Sequence, residues 1–269
     1  MKYAFMSSSM PQADLQQLCD KAHALGYAGI EPRIDWKHGH GVEVAATDAE
    51  RLAIRDLTRR EDIAICCVAV SSQYANLQTA AQNVENTHRE IDLAADVGST
   101  RLRVFGGGYE PADRDAAFES VISSLKAVAD HAAERGVVVC LETHDSWCTP
   151  GDVVTVMQEV NHPAIAVNWD AMHTNRLGNA TMAEAFETLR PWIRHVHVHD
   201  GAMRDGKLVV LPMGTGEYDH VDVLRLLKSI DYNGFLSGEW IGAIMEDDFF
   251  ANHLEPEIKA LRQMEASLS

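Results

Sequence analysis

The stretch Val137-Val138-Val139-Cys140-Leu141-Glu142-Thr143-His144-Asp145 carries the pattern on which the fold turns. It begins as an apolar, β-branched run, the composition of a parallel strand covered on both faces. It then meets a carboxylate, with a histidine two residues further on. Alternation along a strand puts Cys140, Glu142 and His144 on one side, so a strand here ends in acid- or ligand-type side chains. The design recurs. Val167-Asn168-Trp169-Asp170-Ala171-Met172-His173 reaches Asp170 with His173 three residues on. His195-Val196-His197-Val198-His199-Asp200 sets histidines on one face and valines on the other, and Phe235-Leu236-Ser237-Gly238-Glu239-Trp240 reaches Glu239.

Working outward, strand-length apolar runs lie at residues 3–6, 29–32, 63–70, 101–105, 137–142, 165–170, 193–199 and 235–240. Helical periodicity fills residues 12–25, 48–60, 80–96, 116–135, 150–160, 182–189, 221–229 and 254–264. Thr149-Pro150 reads as a cap followed by a first-turn proline, and residues 7–11 offer a similar start to the first helix. Gly26, Gly98 and Gly136 follow helical patterns where left-handed terminators are expected. Repeated strand-then-helix units over this length suit a (β/α)8 barrel, which takes about 250 residues. A doubly wound open sheet shares the alternation. The polar residues favour the barrel: Glu31, Glu142, Asp170, His197 and Glu239 all fall at strand ends, and an open sheet cannot easily bring that many ends to one mouth. No linker or low-complexity stretch divides the chain, so residues 1–269 read as one domain.

Of the 269 residues, 46% are apolar and 23% charged, which excludes a disordered or fibrous protein. Lys plus Arg number 23 against 40 Asp plus Glu, a net charge of −17. Such a surface repels nucleic acid and anionic membrane. Cys19, Cys66, Cys67, Cys140 and Cys148 show no C-x-x-C spacing, so reduced, buried thiols are expected in place of a disulfide framework or thiolate zinc site. The apolar run at the start is too short for a signal peptide, and nothing approaches the roughly 18 apolar residues of a membrane span. A soluble, cytoplasmic protein is the expectation.

A strand-end glutamate alone is more often salt-bridged than catalytic, and His173 alone could cap a helix. Together, carboxylates and an imidazole at separate strand ends point to a cation, since packed carboxylates raise one another's pKa unless one neutralises them. An oxygen-rich set with one imidazole suits Mn²⁺, Mg²⁺ or Co²⁺ better than a thiolate-bound structural zinc.

With these residues in view, the chain resembles the xylose-isomerase-like TIM-barrel superfamily of sugar phosphate isomerases and epimerases. The resemblance is carried by Gly26-Tyr27-Ala28-Gly29-Ile30-Glu31, Leu141-Glu142-Thr143-His144-Asp145, Trp169-Asp170-Ala171-Met172-His173, the histidine strand ending at Asp200, Gly214-Thr215-Gly216-Glu217, and Asn233-Gly234-Phe235 with Gly238-Glu239-Trp240. It implies one divalent metal held by Glu142, Asp170, His197 and Glu239, with Mn²⁺ expected first and Mg²⁺, Co²⁺ or Zn²⁺ as alternatives. It implies a sugar isomerase or epimerase that moves a proton beside a carbonyl through a metal-bound enediolate, with Glu142 and Glu239 as acid and base. His144 and His173 would then orient substrate or ligands. The alternative is a lyase, a metal-dependent dehydratase of an inosose, keto-sugar or sugar acid, in which His144 and His199 suit base and acid. His199 stands where the superfamily usually has lysine. A small sugar or polyol-derived substrate and a homo-oligomer built through the outer helices are also implied.

Other residues stay open at this level. Arg33, Arg103, Arg176 and Arg204 lie near strand ends and suit gripping a carboxylate or phosphate, one or two of them at most. Gly106-Gly107-Gly108 lacks dinucleotide-site spacing and reads as a close-approach loop. Trp36, Trp147, Trp169 and Trp240 suit either a wall against a sugar ring or core packing, and His38 and His40 either line the mouth or sit in a solvated loop. Endonuclease-IV-like enzymes share the Asp-x-x-His spacing of Asp170 and His173. They need a histidine after the third strand, where this chain has Val70-Ser71-Ser72-Gln73, and their DNA substrate conflicts with the net charge. A non-catalytic sugar-binding module on a degenerate barrel is the remaining class.

Overall fold

Side-chain hydrogen bonds to the first turn open the helices that begin at Leu15, Asp48, Ala171, Met182 and His220, whereas those that begin at Ala80, Arg114 and Pro150 start without one. The computed structural model describes residues 1–240 and 249–268. Its elements, in chain order, are β1 (Lys2–Met6), α1 (Leu15–Leu25), β2 (Gly29–Glu31), α2 (Asp48–Arg60), β3 (Ala64–Ile65), β4 (Val68–Gln73), α3 (Ala80–Asp96), β5 (Arg101–Phe105), α4 (Arg114–Arg135), β6 (Val138–Glu142), α5 (Pro150–Val160), β7 (Ile165–Asp170), α6 (Ala171–Arg176), α7 (Met182–Leu189), β8 (Ile193–Val198), β9 (Asp200–Arg204), β10 (Lys207–Leu211), α8 (His220–Lys228), β11 (Phe235–Gly238) and α9 (Phe249–Ala266). Reciprocal capping boxes open α1 at Asp14 and Gln17, α2 at Thr47 and Glu50, and α7 at Thr181 and Glu184. The start expected at residues 7–11 is instead a 3-10 turn over Ser7–Ser9, because Asp14 supplies the stronger cap. Pro150 occupies the first turn of α5 as expected, but Thr149 makes no cap bond. Gly26 and Gly136 end α1 and α4 in the left-handed conformation, at φ 77° and 68°.

The strands pair in the order β3-β2-β1-β11-β8-β7-β6-β5-β4, and each neighbouring pair is parallel. The two ends, β3 and β4, are consecutive pieces of one extended run, so the sheet closes into a nearly complete barrel with the helices outside. The continuous strand expected over residues 63–70 is divided at Cys66-Cys67, where the chain changes partner from β2 to β5. Across that seam the Cys66 N–H donates to the Ile30 carbonyl at 3.0 Å and the Ala69 N–H to Pro32 at 2.9 Å.

Alternation then sorts the side chains. Leu102, Val104, Val139, Leu141, Val167, Trp169, Val196, Val198 and Leu236 join the apolar core packed against the helices. The intervening positions Arg103, Cys140, Glu142, Asn168, Asp170, His195, His197 and Ser237 turn inward and are buried. The barrel interior is therefore polar, and its groups must satisfy one another or a ligand. All five cysteines are unpaired and buried, as expected. No helix of the described residues is long and apolar enough to cross a membrane.

Glu90 of α3 reaches the barrel wall, where the Ser72 hydroxyl on β4 lies 3.0 and 2.9 Å from its two carboxylate oxygens. Burial pushes its pKa up to about 7, against the relief from Ser72. A carboxyl whose folded pKa exceeds its unfolded value contributes stability that is full below the unfolded value and is lost as pH rises through about 7. Glu90→Gln keeps an acceptor for Ser72 and has no proton to lose. In urea titrations its stability is expected to gain on the parent between pH 5 and pH 8, by at most about 3 kcal/mol. Parallel pH profiles for the two proteins would remove Glu90 as the source.

Candidate active site

Strand register assembles the site. His197 lies opposite Asp170 on β7 and opposite Ser237 on β11, so Glu239 arrives two residues past the His197 row. Glu142 pairs with Asn168, two residues short of Asp170. One ligand-type atom from each of Glu142, Asp170, His197 and Glu239 falls within 4.8 Å of the other three, with all four residues buried. His197 stands in the middle. Its Nδ1 is 3.1 Å from Glu142 Oε1 and 3.0 Å from Glu239 Oε2. Its Nε2 lies 3.0 Å from Glu31 Oε1, while the other oxygen of Glu31 is 2.9 Å from His195 Nε2.

Charge sets the protonation of this network. Burial opposes the charged form of His197, but Glu31, Glu239 and Glu142 hold its pKa well above the ordinary histidine value. Burial likewise opposes ionised Glu31, and His197 and His195 outweigh it, keeping the carboxyl well below its usual range. Arg103, fully buried on β5, brings Nε to 3.1 Å from Glu142 Oε2 and Nη2 to 4.0 Å from Glu239 Oε1. Its Nη1 donates to the Val70 carbonyl at 2.8 Å. Burial works against ionised Glu142, but Arg103 and then His197 bring its pKa below normal.

The residues fit a divalent cation. The donor set is three carboxylates and one imidazole, with hard oxygen donors in the majority. Glu142 Oε2 and Asp170 Oδ2 are buried without a hydrogen-bond partner of proper geometry, although Arg103 Nε and His199 Nε2 approach them at 3.1 and 2.9 Å. Glu31 holds Nε2 of His197, which turns Nδ1 toward the carboxylates, the arrangement by which an outer carboxylate orients a ligating imidazole. Asp170 also forms a group with His173 and His199.

Beside this centre is a cavity of about 460 Å³ lined by Arg33, Phe105, His144, Asp145, His173, His199 and Glu239, among others. His144, His173 and His199 form a row, with ring centroids 4.7 and 5.1 Å apart. His144 Nδ1 lies 2.9 Å from Asp145 Oδ1. Burial would lower the His144 pKa, but Asp145 and the nearby glutamates raise it to about 9. The His173 backbone N–H donates to Asp170 Oδ1 at 2.9 Å, so the same aspartate caps α6 and faces the centre. The cap of α6 is therefore Asp170, and His173, read as a possible cap, instead sits in the first turn and lines the cavity.

Several residues the sequence left open are now placed. Glu31, read only as a strand-end carboxylate, bridges His195 and His197. Trp36 lines the cavity, whereas Trp147, Trp169 and Trp240 are buried. A Cβ at Gly106 would come within 2.2 Å of Trp147, which makes the glycine run a close-approach loop. The hairpin β9–β10 has no counterpart in the sequence reading, and its Leu208 and Val210 line the cavity. The signal was Asp205-Gly206, both at positive φ, the dipeptide of a tight hairpin. Asp200 anchors the loop that follows: its Oδ2 accepts the N–H groups of Gly214 and Gly216 at 2.8 and 2.9 Å.

Comparison with known proteins follows the same line. The chain is 22% identical over 234 residues to a 3-dehydroshikimate dehydratase of Bacillus anthracis, a match covering 77% of this chain and 82% of the relative. It is 30% identical over 149 residues to an L-ribulose 3-epimerase of Methylomonas sp., covering 54% and 49%. A xylose isomerase-like TIM barrel protein from Mycobacterium smegmatis, solved in complex with magnesium, superposes with a TM-score of 0.73 at 20% identity, covering 100% of this chain and 97% of that one. The model of the xylose isomerase-like TIM barrel family matches residues 19–264, and the chain belongs to that family.

Proposed function

We propose that this protein is a metal-dependent lyase that removes water from a polyhydroxylated keto compound, beginning with loss of a proton next to the carbonyl. The observation that carries the reading is which acid–base groups border the cavity. Glu239 and His144 line it, while Glu142 is fully buried, with one oxygen toward His197 and the other toward Arg103. A mechanism with glutamates on two faces of the substrate needs Glu142 at the cavity wall.

The proposed centre is Glu142, Asp170, His197 and Glu239, with Mn²⁺ as the first expectation. When bound there, a divalent ion supplies Lewis-acid polarisation of the substrate carbonyl. Glu239 then takes the proton from the carbon next to the carbonyl, and the electron pair left behind forms the new double bond as the β-hydroxyl departs. His144 gives its proton to that hydroxyl, which leaves as water. Asp145 at Nδ1 stabilises the protonated imidazole and leaves Nε2 as the ring nitrogen free for transfer, the orienting role a carboxylate plays beside a catalytic histidine. His173 is a positioning residue, set by its bond to Asp170.

The second reading, isomerisation or epimerisation, draws support from the epimerase relative and shares the first proton transfer. Incubating the Mn²⁺-loaded protein in D₂O with ketoses, inososes and sugar or cyclic keto acids separates the two. Loss of one water with an enone chromophore is the expected result. Deuterium beside the carbonyl with the oxygen count intact assigns the isomerase instead, and neither outcome across the panel overturns both readings.

A further inference from the structure

Arg33 follows β2 by two residues, on the same side as Glu31, and is 3% exposed. Its backbone is held at both polar groups. The N–H donates to Ser7 Oγ at 2.8 Å, and Ser7 Oγ in turn lies 2.9 Å from His38 Nδ1. The Val42 N–H donates to His40 Nδ1 at 3.0 Å, so the proton of that ring is on Nε2, which donates to the Arg33 carbonyl at 3.2 Å. His38 and His40 thus brace the residue from behind. The guanidinium carbon sits 4.6 Å from the Trp36 ring centroid and 5.5 Å from that of Phe105. Nη2 donates to Ser71 Oγ at 3.1 Å, but Nη1 and Nε are buried with no hydrogen-bond partner among the described residues.

The other strand-end arginines are spent or elsewhere. Arg103 Nε and Nη2 also lack hydrogen bonds of proper geometry, but they are ion-paired with Glu142 and Glu239, and Nη1 is bonded to Val70. Arg204 is exposed and paired with Glu217 at 2.9 Å. Arg176 Nη2 lies 3.3 Å from His173 Nδ1, and Arg176 does not line the cavity. Among the described residues no carboxylate lies within 4.0 Å of the Arg33 guanidinium, while Arg33, Trp36, Ser71 and Phe105 all line the cavity that holds His144 and Glu239. Burial and then Arg103 push the Arg33 pKa down to about 9, against the opposing pull of Glu239, Glu142 and Asp35. A buried guanidinium with unused donors, locked in place beside a reaction cavity, is a site for an anion.

We infer that Arg33 is a specificity-determining residue that binds a carboxylate of the substrate, so that the substrate class is a polyhydroxylated keto acid. This deepens the proposed function and rests on its cavity. The donor count selects a carboxylate. The terminal edge offers Nη1 and the second proton of Nη2, a fork that matches two coplanar oxygens. The aromatic rings of Trp36 and Phe105 favour a flat group, and one neighbouring hydroxyl is too little for the three oxygens of a phosphate dianion.

The test is equilibrium binding to the Mn²⁺-loaded protein of matched pairs: 3-dehydroshikimate against its methyl ester, and 2-keto-D-gluconate against D-fructose, with D-fructose 1-phosphate as a phosphate arm. In the parent protein the acid of at least one pair is expected to bind roughly ten- to a hundredfold more tightly than its neutral partner, the range of charge-assisted hydrogen bonds. Arg33→Gln removes that ratio at unchanged metal content, and Arg33→Lys keeps part of it. Equal binding of acid and neutral partner, no binding of any acid, or equal weakening of both by Arg33→Gln overturns the inference. Tighter binding of the phosphate than of both acids reassigns the site to phosphate and overturns the carboxylate. Carboxylate-selective binding without water loss leaves Arg33 standing and removes only the proposed reaction.

Discussion

Asp170→Asn is expected to emerge from purification without its divalent ion and with turnover lower by about a thousandfold or more. Lewis-acid stabilisation of developing charge is worth several kcal/mol, and each 1.4 kcal/mol is a factor of ten. Asparagine keeps the shape and an acceptor for the His173 N–H, which Asp170 Oδ1 now bonds at 2.9 Å, so the barrel should fold. His197→Ala is the harsher companion, because it leaves buried Glu31, Glu142 and Glu239 without their shared imidazole. Removing one partner of a buried charged group costs roughly 3–5 kcal/mol, so that variant is expected to lose thermal stability as well as metal. Elemental analysis beside far-UV circular dichroism reads both effects. Full metal occupancy in folded Asp170→Asn would show that the ion binds elsewhere.

His144→Gln carries the second large effect, a fall in water loss of about a hundred- to ten-thousandfold, the range of a general acid. Metal content should not change, since His144 lies outside the four proposed ligands. The informative quantity is a ratio. If Glu239 removes the proton and His144 serves the leaving hydroxyl, His144→Gln still exchanges deuterium next to the carbonyl while elimination stalls, so exchange per turnover rises. Exchange and elimination falling together would make His144 the base instead, and unchanged kinetics would remove it from the reaction. Asp145→Asn should follow the same direction with a smaller loss, because it touches His144 only through Nδ1.

How far the sequence leads can be followed residue by residue. Glu142, Asp170 and Glu239 each close their own apolar run, and a strand displays its end within a few residues, so they were legible before any pairing was known. His197, one of three alternating histidines, was singled out as a ligand by the family resemblance. The same locality gives the helices at residues 48–60, 80–96, 150–160 and 182–189, whose observed bounds agree. It failed where partners changed. The run over residues 63–70 is uniformly apolar, and its break at Cys66-Cys67 arises because one half pairs with β2 and the other with β5. The hairpin β9–β10 went unread because β9 is charged and small, Asp200-Gly201-Ala202-Met203-Arg204, although the apolar run Leu208–Leu211 of β10 and the Asp205-Gly206 turn both marked it.

The sequence by itself determined the barrel and the ligand-type residues at its mouth, because hydrophobic period and strand-end position are properties of neighbours along the chain. Only the tertiary structure decided what each group does there. Glu31 serves His195 across 164 residues. Arg103 and Arg33 look alike in sequence, yet among the described residues one is ion-paired with two carboxylates and the other with none. Glu142 and Glu239 read as an equivalent pair, and closure of the barrel buries both but leaves only Glu239 lining the cavity. Charge compensation, burial and access depend on distances between strands far apart in the chain, which no local pattern encodes.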